Sequence, residues 1–161
     1  MEEYKRLVDI VEALRAENGC PWDREQTHMS LKKGLIEESA EVVCGINYMN
    51  DTGDPSNLRE ELGDLLLQIV LHAQIAKEEG LFDMEDICRE ISDKLIRRHP
   101  HVFGDVEVAN SEEVLKNWDK IKMGEIDKAD VTQYLFKAFD ESKALIDVAA
   151  KRKREKMAGK K

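Results

Sequence analysis

The sequence predicts an all-α chain, a helical bundle that completes its core by oligomerising. Three observations carry this prediction. Helix breakers are scarce, with 9 glycines and 3 prolines in 161 residues. Apolar residues recur at helical spacings of three and four. No segment alternates apolar and polar side chains for long enough to form a half-buried strand. The length suits one domain, since domains run to roughly 100–200 residues. A helical chain of this size often closes its core against another copy.

The elements follow in order. A first helix covers about 2–17, with Leu7, Val8, Ile10, Val11 and Leu14 on one stripe, and Asn18-Gly19 ends it. CPWDREQTH reads as a loop in which Trp22 is a structural anchor. A second helix starts near Ser30, as N-cap, and runs to about Asn50. The breaker-rich turn DTGDPSN follows. A third helix runs from about Ser56 to Glu79 and stops at Gly80. Leu65 to Leu67, Ile69 to Leu71, Ala73, Ile75 and Ala76 cover nearly its whole circumference, which predicts a buried central helix flanked by the second and fourth. Asp83 caps the fourth, about 84–98, which must stop before Pro100. HPHVFGDVEVAN is a loop. Ser111 begins a fifth helix that ends near Gly124, and a sixth, about 131–155, frays into the basic end. The organisation expected is a catalytic domain over 1–125, a helical extension over 126–150 and a flexible tail over 151–161.

Charge excludes several classes. The net charge is −9, unevenly placed: 151–161 has seven basic residues and one acidic, hence +6, which leaves −15 for 1–150. This argues against a nucleic-acid binder, which shows a basic footprint. The basic end itself reads as a solvated segment whose deletion leaves activity intact. No apolar run approaches the roughly 20 residues that span a bilayer. The start of the chain lacks a signal-peptide core. Cys20, Cys44 and Cys88 form no C-x-x-C pair, so free thiols in a reducing cytoplasm are expected.

The acidic residues carry the functional signal. Glu38 and Glu41 are three apart on the second helix, and Glu61 and Asp64 on the third, so each pair shares a face. The short turn makes the two helices antiparallel neighbours, so the pairs can face each other. Asp64 sits in LGDLLLQIV and Glu41 in ESAEVVCGI. Carboxylates amid apolar neighbours are costly unless paired or bound to a cation, and four facing ones repel. Oxygen-only ligands suit Mg²⁺, with Mn²⁺ as substitute. A plain solvated acidic face is the competing reading. A di-iron site is not favoured, because Glu25-x-x-His28 has no second match.

E-E-S-A-E (37–41) followed by E-E-L-G-D (60–64) resembles the E-E-x-x-E…E-x-x-D signature of the MazG family of nucleoside triphosphate pyrophosphohydrolases. NGCPWDREQTHMSL, ELGDLLLQIVLHAQIAKEEGLF, ISDKLIRRHPHVFGD and NWDKIK extend the resemblance in the family's order over most of 5–123. The resemblance implies an all-α homodimer or higher oligomer, and Mg²⁺ held by Glu38, Glu41, Glu61 and Asp64, with Glu37 supporting them. It implies cleavage of a nucleoside triphosphate into monophosphate and pyrophosphate. Lys94 and Arg98 match positions that contact the nucleotide, and Trp118 and Lys122 positions near base and phosphates.

That chemistry makes physical sense. A divalent ion neutralises phosphate charge and acidifies a bound water, and two ions can clamp attacking and leaving oxygens. Glu41 or Glu38 is the candidate to activate the water. Lys94 and Arg98 share a helix face, where a basic helix C-terminus is the alternative explanation. Trp118 can stack a base or simply cover the bundle. His28, His72 and His101 read as core or capping residues. Two alternatives stay open: a sister activity on dUTP, dCTP or phosphoribosyl-ATP, and a non-catalytic helical interaction module.

Overall fold

A computed structural model describes residues 2–125 and 131–159. It contains α1 (Glu2–Arg15), α2 (Pro21–Arg24), α3 (His28–Thr52), α4 (Ser56–Glu78), α5 (Met84–Arg98), α6 (Pro100–Phe103), α7 (Ser111–Gly124) and α8 (Thr132–Ala158). The described residues contain no strand, and no helix among them is long and apolar enough to cross a membrane. None of the three cysteines is in a disulfide. The chain forms two compact units, Met1–Leu81 with Thr132–Lys161, and Phe82–Val131.

The first unit is built on the α3–α4 hairpin. Thr27 caps α3 by accepting the Ser30 backbone N–H, and Ser30 Oγ accepts the Thr27 N–H in return. Ser30, expected as the cap, is instead the partner that closes the box, and the helix starts two residues earlier. Gly53 ends α3 at φ 78°, a left-handed conformation that costs glycine no Cβ clash, and its N–H donates to Met49 O. The hairpin is tight. A Cβ on Gly45 would lie 2.8 Å from Leu58 Cα, and one on Gly34 would lie 3.1 Å from the Gln68 side chain. These contacts set an antiparallel register in which Glu38 stands opposite Asp64, and Glu41 opposite Glu61.

α1 closes one side of α4. Val11 is fully buried, with Val70, Leu71, Ala73, Ile75 and Ala76 forming the core around it. Arg15, its side chain 6% exposed, forks onto Glu78 and donates Nη1 to the carbonyls of Asp23 and Gln26. The guanidinium so beside it holds the Glu78 carboxyl below its usual range. Burial of α4 is one-ended, however. Leu62 and Ile69 are 49% and 38% exposed, so the helix expected to be buried all round is buried only from Val70 onward. Within its unit its neighbours are α3 and α1.

α8 lies along α3. Ala149 is buried there, and Lys32 binds Glu141 across the pair. The described part of the basic end, 151–159, is exposed, as a solvated segment would be; α8 continues through it to Ala158, and two of its residues, Arg152 and Lys153, pair with Glu37 and Glu41. Lys160 and Lys161, like 126–130 of the expected extension, lie outside the described residues.

In the second unit Asp83 caps α5, accepting the N–H groups of Glu85 and Asp86. α5 stops at Arg98, and Pro100 opens α6. α7 begins at Ser111 and ends at Gly124, as expected, with Asn110 capping it by accepting the Glu113 N–H. α2 and α6 fall in segments expected as loops. Both start on a proline, whose fixed φ suits a first helical turn and whose missing N–H costs nothing there.

Candidate functional site

The hairpin register assembles an acidic site. Glu38 on α3 and Glu61 and Asp64 on α4 each offer a carboxylate oxygen, and these oxygens lie within 4.8 Å of one another. Glu38 and Glu61 are half-buried and Asp64 is exposed. Asn57, one turn before Glu61, donates Nδ2 to Glu61 Oε1 at 2.9 Å and fixes that carboxylate. Burial pushes the Glu38 carboxyl up, and the charges of Glu41, Asp64 and Glu61 push it further, with Lys153 partly opposing them. The site therefore holds more negative charge than it can settle by itself. An all-carboxylate donor set in this state fits a hard divalent ion such as Mg²⁺.

Glu41, expected among the ligands, stands beside this trio rather than in it, because its carboxylate is paired with Lys153. Glu37 also turns toward basic partners, Arg152 at 2.5 Å and Lys33 at 3.8 Å, and its side chain is 12% exposed. A cavity of about 290 Å³ opens next to the carboxylates, with Ile36, Glu41, Asn57, Glu61, Ile146 and Lys153 in its wall. α8 thus forms part of the site's surroundings. Sequence reasoning missed Arg152 and Lys153. The signal was present: Glu141, Leu145, Ala149 and Lys153 recur at every fourth position with no breaker between them.

Lys94, Arg98, Trp118 and Lys122 fall in the second unit. Arg98 and Trp118 are together, the guanidinium 5.1 Å from the ring centroid, and the His99 ring meets Trp118 edge-on at 4.9 Å. Arg98 also forks onto Glu125, with Nη2 2.6 Å from Oε2, and Arg97 binds the same carboxylate. Those hydrogen bonds, from Arg98 first and Arg97 second, pull the Glu125 carboxyl down to about 2. Trp118 is half-buried and already bears a cation, while Lys122 is exposed. Trp22, expected as an anchor, is 62% exposed, and Gln26 Nε2 donates to its carbonyl. His28 and His72 stack at 5.0 Å and share one Nδ1–Nδ1 hydrogen bond of 2.7 Å, in keeping with a structural role.

Comparison with known proteins follows the same lines. The family model for the MazG nucleotide pyrophosphohydrolase domain matches residues 26–103. The crystal structure of a mazG-related protein from Thermotoga maritima superposes with a TM-score of 0.60 at 31% identity, over 74% of this chain and 98% of that one. The chain belongs to the MazG family. A nucleoside triphosphate pyrophosphohydrolase of Escherichia coli is 52% identical over 126 residues, 78% of this chain and 46% of that protein. A nucleoside triphosphate pyrophosphohydrolase/pyrophosphatase MazG of Thermotoga maritima is 51% identical over 122 residues, 76% of this chain and 45% of that protein. The chain thus spans about half the length of these two MazG relatives. The matched MazG segment contains the carboxylates of α3 and α4 with Lys94 and Arg98, whereas Trp118, Lys122 and all of α8 lie beyond it.

Proposed function

We propose that this chain hydrolyses nucleoside triphosphates to monophosphate and pyrophosphate, using Mg²⁺ at the α3–α4 site. The observation that carries the proposal is the meeting of Glu38, Glu61 and Asp64 within 4.8 Å, from two helices held in one register. Names borne by relatives at about half identity point the same way. A divalent ion there supplies phosphate neutralisation and a more acidic water. The chain's own residues supply the rest. Glu38, Glu61 and Asp64 hold the ion, Asn57 orients Glu61, and Glu41 alongside accepts the proton of the attacking water. The resemblance to the family makes Lys94 and Arg98 the candidate phosphate contacts, with Trp118 and Lys122 the candidates near base and phosphates.

The apolar side chains left exposed on α3 and α4, Val43, Ile46, Leu62 and Ile69, support closure of the bundle by a second copy. Light scattering on the eluting protein tests that, and a monomer would refute it. A nucleotide-pool or noncanonical-nucleotide role in a reducing cytoplasm fits thiols outside disulfides.

Pyrophosphate release from a panel of nucleoside triphosphates and deoxynucleoside triphosphates, with and without Mg²⁺, tests the activity. The expected result is release that requires the ion. Release confined to dUTP or dCTP would indicate the sister specificity. No release from any member would overturn the enzyme reading.

A further inference from the structure

We propose that the Lys153 ammonium is a built-in cation for Glu41, so that the site binds one divalent ion and admits a second only when Lys153 is displaced. The inference rests on the metal reading above and adds to it the number of ions and the residue that sets it.

Four carboxylates face one another across α3 and α4, but they are not equivalent. Three present oxygens to a common point. The fourth, Glu41, is engaged by Lys153 from α8. That engagement is anchored over several turns. Glu141 binds Lys32, Ala149 is 8% exposed against α3, and Arg152 binds Glu37 at 2.5 Å one turn of α3 before Glu41. Lys153 is therefore delivered by a seated helix rather than by a free side chain. An ammonium on a carboxylate meets the same electrostatic need as a second metal ion there, but it offers no open coordination position. A divalent ion that recruited Glu41 would have to break the Lys153 contact and work against a nearby positive charge. The first ion, held by Glu38, Glu61 and Asp64, feels the Lys153 charge through Glu38 but has no ion pair to break.

The test is Mn²⁺ binding to the full chain, measured as free Mn²⁺ by electron paramagnetic resonance, for wild type, Lys153→Met and Lys153→Arg. Circular dichroism verifies equal helicity. Wild type should bind one Mn²⁺ tightly and a second weakly. In Lys153→Met the second should tighten by about 5-fold or more, the lower end of typical site–site coupling. Lys153→Arg, which keeps the charge, should behave as wild type. Equal binding curves for wild type and Lys153→Met would overturn the proposal while leaving the metal site intact. Tight binding of two ions by wild type would overturn it too. If none of the three proteins binds Mn²⁺, the metal reading itself fails, and this proposal fails with it.

Discussion

At the scale of single residues, the charges of the carboxylate site set its stability. The Glu38 carboxyl is raised first because burial disfavours its charged form, and then because ionising it places a charge among three others. The folded form therefore keeps its proton to higher pH than the unfolded form, and apo stability declines as pH rises through the raised value. Glu38→Gln should raise the apo melting temperature at pH 7 and abolish the gain that Mg²⁺ gives wild type. A differential scanning measurement with and without the ion decides it. Asp64→Asn should cut pyrophosphate release by about 100-fold or more, with helicity kept. His72 behaves oppositely to Glu38: burial first, and the His28 charge second, lower its pKa. Its folded form binds fewer protons, so stability falls as pH drops below the ordinary value of about 6.5. The melting temperature should drop between pH 7.5 and 5.5, and His72→Phe should flatten that drop. The carboxylates were legible in sequence because spacing on a helix fixes which of them share a face. Lys153 was legible only as a member of a stripe on the last helix; that it meets Glu41 was not, because an ion pair between residues 41 and 153 has no local signature.

At the scale of elements, capping chemistry made most helices readable. Asp83 before α5 and the left-handed glycines at 53 and 80 lie where breakers and caps suggest. The misplaced cap of α3, Thr27 rather than Ser30, arises because both residues are good cap chemistry, whereas α7 starts at Ser111 as expected. What sequence could not show is how closely α3 and α4 approach, since that depends on the side chains Gly45 and Gly34 lack. Gly45→Ala would drive a Cβ to 2.8 Å from Leu58 Cα, on the backbone itself. Overpacking of this kind should cost about 1–3 kcal/mol in denaturant unfolding. Gly63 makes the opposite case: a Cβ there meets nothing within 4 Å, in the middle of α4. Gly63→Ala should stabilise by about 0.5–1 kcal/mol through helix propensity alone. A loss instead would reveal a close neighbour at that face, such as a second copy of the chain.

At the scale of the whole molecule, the net charge of −9 conceals a local match, because two residues of the exposed basic end, Arg152 and Lys153, pair with the acidic Glu37 and Glu41. The two compact units should also meet acid differently. Glu125 in the second unit is held near 2 by its arginines, so its contribution is full above about pH 4.5 and is lost as pH falls toward 2. Tryptophan fluorescence of Trp118 followed from pH 5 to 2 in a Trp22→Phe background should show that loss, and Glu125→Gln should remove it. The first unit is discontinuous, its α8 separated from α4 by the whole of Phe82–Val131. At ~5–20 residues per second of synthesis, the carboxylates leave the ribosome several seconds before Arg152 and Lys153 do. During those seconds a free divalent ion meets Glu41 with no lysine to compete, so the nascent hairpin has its widest choice of counter-charge before the chain's own reaches it.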